Sequence, residues 1–424
     1  MRELHDSGIE WIGIAPSSWK VAYLSSVLSE RKHKNVGMQE DNLLSLSYGN
    51  VKQKDINTND GLLPESFEGY NIIEVGDIVL RLTDLQNDHR SLRTGLCRER
   101  GIITSAYCTL KLNSKEDDPR FLRYYLHCFD LCKGFYGMGA GVRQGLNFDG
   151  IRKIEMLLPA PAEQTAISDY LDAQMEKVDA LIANQQAQIE KLKQYKQSLI
   201  TEVVTKGLNS NAPMKDSGII YYGQIPDHWQ LIATKYLYRI ESGATPKSEN
   251  PDYFDGSIPW ITPADYKTDD IFVSGGRRNL SELGLNACST TLIPKGSIIF
   301  SKRAPIGSVA INSEALCTNQ GCLSCIPKTD DLPKYFYYVM SVMTEQYNLL
   351  GSGTTFKEIS ANSFANFVLP EPPIQEQHQI VSFLDERCSK IQKLISIKAK
   401  KIERMNSYKK SLLYEYVTGK KEVS

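Results

Sequence analysis

Asp6-Ser-Gly-Ile9, with Gly13, Pro16 and Trp19 behind it, returns without a gap as Asp216-Ser-Gly-Ile219 with Gly223, Pro226 and Trp229. Residues 6 to 19 therefore recur 210 positions later. A second pair of copies opens at Glu163-Gln164 and Glu376-Gln377 and keeps a constant offset of 213. It carries Ile167 with Ile380, Leu171-Asp172 with Leu384-Asp385, Leu181-Ile182 with Leu394-Ile395, and Ile189-Glu190 with Ile402-Glu403. Tyr195-Lys196 with Tyr408-Lys409, Ser198-Leu199 with Ser411-Leu412, and Val204-Thr205 with Val417-Thr418 extend it. A solenoid repeat runs only about 20 to 50 residues. This chain is instead a domain-plus-helix unit built twice.

From Ala162 to about Thr205 the apolar positions Ile167, Leu171, Met175, Val178, Ile182, Ile189, Leu192, Leu199 and Val203 step by threes and fours. That stripe is heptad-like, and no Pro or Gly breaks it. A continuous helix of that length extends roughly 66 Å at about 1.5 Å per residue. The second copy, Gln375 to Val417, repeats the stripe with Ile380, Leu384, Cys388, Ile391, Ile395, Ile402, Met405 and Leu412. Each stripe needs a partner, and the other copy is the obvious one. Both stripes are interrupted at one place, by Gln185 and by Lys398, so an antiparallel pair about a pseudo-twofold axis is expected to bring these two face to face.

Proline clusters, Leu158-Pro-Ala-Pro161 and Leu369-Pro-Glu-Pro-Pro373, stop the preceding domains, and Lys206-Gly-Leu-Asn-Ser-Asn-Ala-Pro213 links the halves. The expected division is a first domain over 1–160, a long helix over 161–206, a second domain over 207–370 and a second long helix over 371–424. Helix one is followed by the linker and Asp216-Ser-Gly, whereas nothing follows helix two. The segment Asp6 to Trp19 is therefore expected to dock at the end of helix two, which makes the organisation circular. In the globular segments, about 20–157 and 230–368, Val75-Gly-Asp-Ile-Val-Leu80 and Pro294-Lys-Gly-Ser-Ile-Ile-Phe300 read as turns entering strands. Pro119 to Leu126 and Pro333 to Val339 read as helices with Pro at the first position. The fold class is α+β: two tandem mixed α/β domains joined by two long helices in an antiparallel coiled coil.

Of the 424 residues 23% are charged and the net charge is −1, so neither disorder nor a wholly basic coat is indicated. Any basic surface must be local. The start Met1-Arg-Glu-Leu-His-Asp6 is polar and no apolar run reaches the roughly 18 residues of a membrane span. A cytoplasmic protein is expected, with its nine cysteines as thiols. Cys322 and Cys325 form a lone Cys-x-x-Cys beside Cys317, and Cys128 and Cys132 lie in an aromatic-rich helix. Without a second pair at metal spacing they read as small buried side chains.

With these motifs in view, the chain resembles the specificity (S) subunit of a type I restriction-modification enzyme. The resemblance rests on the doubled Asp-Ser-Gly-Ile motif, the doubled approach from Leu-Pro to Glu-Gln, Gly243-Ala-Thr-Pro246, and Ile258-Pro-Trp-Ile-Thr-Pro-Ala-Asp265. It implies that each domain is a target recognition domain reading one half of a split double-stranded DNA sequence. It implies partners as well: two methyltransferase subunits docked on the helices, and motor-nuclease (restriction) subunits beyond them. S-adenosylmethionine, ATP and magnesium would then sit on those partners, leaving this chain without a cofactor. Half-sites on one face of B-DNA recur about every 34 Å, a span the helices can bridge.

Phosphates attract Lys and Arg, and base edges are read by Arg, Lys, Asn, Gln, Ser and Thr. Arg81, Arg90, Arg93, Arg98 and Arg100 cluster with Gln86, Asn87 and His89 in the first domain. Ser301-Lys302-Arg303 follows the equivalent strand of the second. Tyr48-Gly-Asn50 and Thr262 to Lys267 are polar loops after early strands. The glycine loops around Arg143 and around Thr354 and Lys357 offer backbone amides beside a basic residue, as an anion site or as plain turns. The candidate DNA contacts are thus Tyr48, Asn50, Arg81, Arg90, Arg93, Arg143, Thr262, Lys267, Lys302, Arg303, Thr354 and Lys357. Asp6, Trp19, Asp216 and Trp229 are assigned to packing, since repeated residues cannot distinguish unlike half-sites.

Asn250-Pro-Asp-Tyr253 approaches an amino-methyltransferase motif but has Asp252 at its third position and no accompanying glycine motif, so it reads as a turn. There is no Walker A sequence. Glu30-Arg-Lys32 has no nearby Pro-Asp to complete a nuclease site. A non-catalytic DNA reader is the expectation. A coiled-coil scaffold joining two protein-binding domains and a tandem DNA methyltransferase are the alternatives.

Overall fold

A computed structural model describes residues 2–56, 64, 66–85, 92–138, 145–266, 270–351 and 357–423. The chain forms two units, 1–186 with 399–424 and 187–398, and the division passes through both long helices. Each unit mixes α and β, as the alternation of strand and helix patterns requires.

In the first unit the central antiparallel sheet runs Leu28–Glu30, Cys108–Leu112, Ile78–Leu80, Thr94–Leu96. Alternate residues of a strand face opposite sides, and both sides here are apolar. Ile78, Leu80 and Leu110 join a core with Phe121, Leu122 and Tyr125 of the helix Pro119–Leu131. Val79 joins Leu44, Leu46, Ile73 and Ile103 on the reverse. The second unit repeats the order with Tyr238–Ser242, Cys322–Pro327, Ile298–Ser301 and Val309–Asn312, and adds Phe272–Val273 in parallel at the edge. Its covering helix is Pro333–Ser341. Cys325 packs into one core and Cys322 into the other, so the Cys-x-x-Cys pair points to opposite faces of its strand and cannot chelate one ion. Asn250-Pro-Asp-Tyr253 is a turn, with Asn250 Oδ1 accepting from the Asp252 amide at 3.1 Å.

The repeated motifs now have physical causes. In both hairpins, Leu4–Asp6 with Ile14–Pro16 and Met214–Asp216 with Gln224–Pro226, the Asp carboxylate accepts an amide two residues on, from Gly8 and from Gly218 at 3.0 Å each. The tryptophans behind them donate Nε1 to the repeated glutamates, Trp19 to Glu163 at 3.2 Å and Trp229 to Glu376 at 3.0 Å. The repeated glutamines clamp the approach to the covering helices. Gln164 Oε1 accepts from the Asp118 amide, and Gln377 Oε1 from that of Leu332, at 3.0 Å each. Both glutamines are buried, and their Nε2 groups reach Asp117 and Asp331 carboxylates. One residue pair thus ties hairpin, domain and helix together in each unit.

The long helices are Pro161–Lys206 and Ile374–Val417. Within the first unit their segments pair antiparallel, since Tyr170 stacks near Tyr416 and Asp179 accepts from Lys409. Within the second, Lys398 donates to Gln188 and the segments 193–200 and 385–396 line one cavity. The expected facing of residues 185 and 398 joins different units; the contact seen for Lys398 within its own unit is Gln188. The opening segment does dock at the end of the second helix. Tyr414 OH donates to the Trp11 carbonyl at 3.2 Å, Lys420 Nζ to that of Ile12 at 3.0 Å, and Arg2 Nε pairs with Glu422 at 2.9 Å. Gly419, at φ +72°, turns the chain where any side chain would strike Pro16 and Trp19. Among the described residues no helix is long and apolar enough to cross a membrane.

Candidate nucleic-acid interface

In the second unit the sheet register brings polar loops together. Ser301 lies opposite Cys322 and Ser242 opposite Leu323, so the loops at 243–246, 302–303 and 319–321 leave the same end of the sheet. Gly243 lets its segment press against 318–319: the Ala244 amide donates to the Thr318 carbonyl at 3.0 Å, where a side chain at 243 would collide. Thr245 donates to Gln320. Lys302 donates its amide to the Gly321 carbonyl at 2.9 Å, and Gly321 lies against Pro263. The loop 262–265 completes the cluster with Arg277, whose Nη2 donates to the Ala264 carbonyl at 3.1 Å.

Within this cluster Lys302 Nζ and Arg303 Nε share Glu358, each at 2.8 Å, and exposed Lys357 adjoins it. Burial pushes the Glu358 carboxyl up, but the two cationic donors outweigh it and hold it below the usual range. Among the described residues Lys302, Arg303, Lys357 and Arg277 stand against Glu358 and Asp265, the last paired with Arg277 at 3.4 Å, which leaves net positive charge at this end of the sheet. Thr262 takes a different role from the one expected. Its amide and hydroxyl both donate to Asp265, at 2.8 and 2.7 Å, so it shapes the loop. The exposed group there is Arg277, which the sequence reading missed because its neighbours lie twelve or more residues away in sequence. Gln320 was missed for the same reason.

In the first unit Tyr48 and Gly49 turn the hairpin Leu44–Ser47 with Asn50–Gln53, Tyr48 exposed at φ +48°. Asn50 is exposed beside it. The turn lies against Leu92, just before the strand Thr94–Leu96, and exposed Arg81 follows the strand Ile78–Leu80. The arginine cluster does not stay together. Arg93 is only 2% exposed, and its guanidinium donates to the carbonyls of Arg81, Thr83 and Asp84 at 3.0, 2.7 and 2.9 Å. It builds the loop from inside and is corrected from a DNA contact to a framework residue. Arg100 is held by Glu40 and Glu74. Arg98 lines a groove with Arg123. Arg90, Arg143, Lys267 and Thr354 lie outside the described residues, as do Gln86, Asn87 and His89.

Replacing Arg93 with Met is expected to lower the unfolding free energy by about 2–3 kcal/mol, because it strands buried carbonyls. Urea titration of the variant checks this. A midpoint equal to that of the parent protein would return Arg93 to the surface set.

A family described as the type I restriction modification DNA specificity domain matches residues 226–404. The chain is 36% identical over 165 residues to the specificity subunit of the type I restriction enzyme MjaIX of Methanocaldococcus jannaschii, a match spanning 38% of each chain. It is 23% identical over 428 residues to the putative type I restriction enzyme MjaX specificity subunit of the same organism, covering 96% of this chain and 95% of that one. Among solved structures, a chain from a study of assembly and conformational transition in the type I R-M system superposes with TM-score 0.74 at 17% identity, covering 96% and 99%. The HsdS subunit from Thermoanaerobacter tengcongensis gives 0.51 at 16%, covering 96% and 98%. These superpositions establish the fold.

Proposed function

Since the chain belongs to the specificity subunits of type I restriction-modification enzymes, we propose that it reads a split DNA target, one half-site per unit, and performs no catalytic step itself. The observation that carries this reading is architectural. The same sheet order and the same Trp–Glu and Gln clamps recur in both units, while the loops at the sheet ends differ: a Lys302–Arg303–Lys357 cluster in one, a Tyr48–Asn50 turn with Arg81 in the other. Unlike loops on a repeated frame suit unlike half-sites. Arg277, Lys302, Arg303 and Lys357, and in the first unit Tyr48, Asn50 and Arg81, are the proposed contacts.

Docking of two methyltransferase subunits on the long helices is the second part of the proposal. Leu181 and Leu394, 48% and 47% exposed, are identical copies, and so are Tyr195 and Tyr408, at 56% and 51%. Apolar side chains kept outward at matching places in both copies suit a partner present twice. Motor-nuclease subunits join outside, and S-adenosylmethionine, ATP and magnesium are held by the partners.

Selection from a randomised duplex library by the chain assembled with its methyltransferase tests the reading. Two short half-sites at one fixed spacing are expected. One contiguous site, or no enrichment, would favour a scaffold instead.

A further inference from the structure

Each unit carries a groove where the covering helix lies beside the paired long helices. The framework repeats: Tyr124 OH donates to Asp172 at 2.6 Å and Tyr338 OH to Asp385 at 2.7 Å. Arg120 and Lys334 hold the second oxygen of each carboxylate, at 3.1 and 2.7 Å. Opposite them stand Lys409 with Leu413 in the first unit and Lys196 with Ile200 in the second, copies at the same offset. The cavities measure about 970 and 520 Å³.

The floors differ. Where the second unit has Tyr337 and Ser341, the first has Arg123 and His127, one helical turn apart. Arg123 lies over the Tyr124 ring at 5.0 Å and gives one Nη2 bond to the Gly49 carbonyl at 3.3 Å. Its Nε, and Nδ1 of His127, are shut from solvent with no hydrogen-bond partner among the described residues. Burial pushes His127 down to about 3, and the positive field of Arg123, Lys409 and Lys410 adds to it. Burial likewise lowers the Arg123 guanidinium. Arg123 lines a groove that holds Lys409 and Lys410 beside Asp172, Glu176 and Asp179, and an anion that reaches its unpaired Nε would fit the planar guanidinium fork.

We propose that the two grooves receive the same segment of a polypeptide partner, one copy each, and that in the first unit alone a partner carboxylate seats against Arg123 and His127. This rests on the reading of two methyltransferase copies given above. Tyr48 and Asn50, proposed above as DNA contacts, also line the first-unit groove; a polypeptide partner is favoured over a DNA phosphate because the Tyr–Asp framework recurs in both units. The first-unit site then binds its copy about 10- to 100-fold more tightly, as expected for one charge-assisted pair.

The test titrates the full-length chain with its cognate methyltransferase subunit, read by native mass spectrometry and calorimetry. The expected result is a 1:1 complex that accumulates before the 1:2 complex, beyond the statistical ratio for equal sites. Arg123→Gln should abolish that gap and leave the weaker step unchanged, and His127→Gln should narrow it. Either variant suffices if the other fails to fold. Equal steps in the parent protein overturn the proposal while two-copy docking stands. Unchanged steps in the variants, with a shallower salt dependence of DNA binding, overturn it in favour of a phosphate. No binding of the methyltransferase subunit sinks the docking reading and this inference together.

Discussion

Replacing Trp229 with Ala is expected to remove about 3–5 kcal/mol of stability, the range for deleting a large buried aromatic side chain. The indole is fully buried, Gly207 packs against its edge, and Nε1 donates to Glu376, which also takes a 2.8 Å contact from His228. The truncation opens a cavity and takes a donor from the glutamate that begins the second long helix. Set against a typical margin of about 5–15 kcal/mol, the loss is large. Trp19→Ala should act alike on the first unit, since Trp19 is 3% exposed and bonded to Glu163. Trp229→Phe keeps most of the volume and should cost only about 1 kcal/mol beyond the lost volume, for the hydrogen bond. Denaturant titration followed by circular dichroism measures all three. A Trp229→Ala midpoint indistinguishable from that of the parent protein would refute the clamp.

Removing Lys302 and Arg303 together is expected to weaken DNA binding by the assembled complex about 100-fold, at roughly tenfold per 1.4 kcal/mol for each lost charged contact. If both touch phosphates, the slope of log affinity against log salt becomes shallower by about 1.8. Binding to the half-site assigned to the first unit should keep its preference. Glu358 supplies a sign test. It shares both cations, so Glu358→Gln frees them and removes a negative charge, and affinity should rise. A double variant with unaltered salt slope, or a Glu358→Gln protein that binds more weakly, would remove this cluster from the interface.

Much of the fold was legible because it is written as spacing. The two copies gave the repeat, and the strands at Ile78–Leu80 and Ile298–Ser301 follow the expected turns. The helices Pro119–Leu131 and Pro333–Ser341 begin at the expected prolines. The docking of the first segment at the end of the second helix followed from counting what each half lacked. The interface was less legible, since nearness in sequence is a poor guide to direction. Arg81, Arg93 and Arg100 lie close along the chain, yet one is exposed, one is buried and one is paired with Glu40 and Glu74. Arg277 and Gln320 enter the cluster only through tertiary contacts. Arg123 and His127 did leave a signal, a guanidinium and an imidazole four residues apart on a helix whose other charged side chains are Arg120 and Asp130. That spacing marks one helix face without saying what lies opposite.

The closing of the first unit by the chain's last helical turns bears on how the protein is made. Leu412, Leu413, Tyr416 and Val417 share a core with Ile9, Ile12 and Trp19, whereas the main buried cluster of the second unit runs from Ile200 to Cys388. A ribosome extends a chain at about 5–20 residues per second and usually releases domains to fold in order of synthesis. Here the order is inverted. The second unit can complete its core while the first, although translated earlier, waits with an open flank until its final residues emerge. Nascent first-unit chains are thus the stage most exposed to proteases and chaperones. A stop codon shortly after residue 398 should yield a folded second unit tethered to an unfinished first.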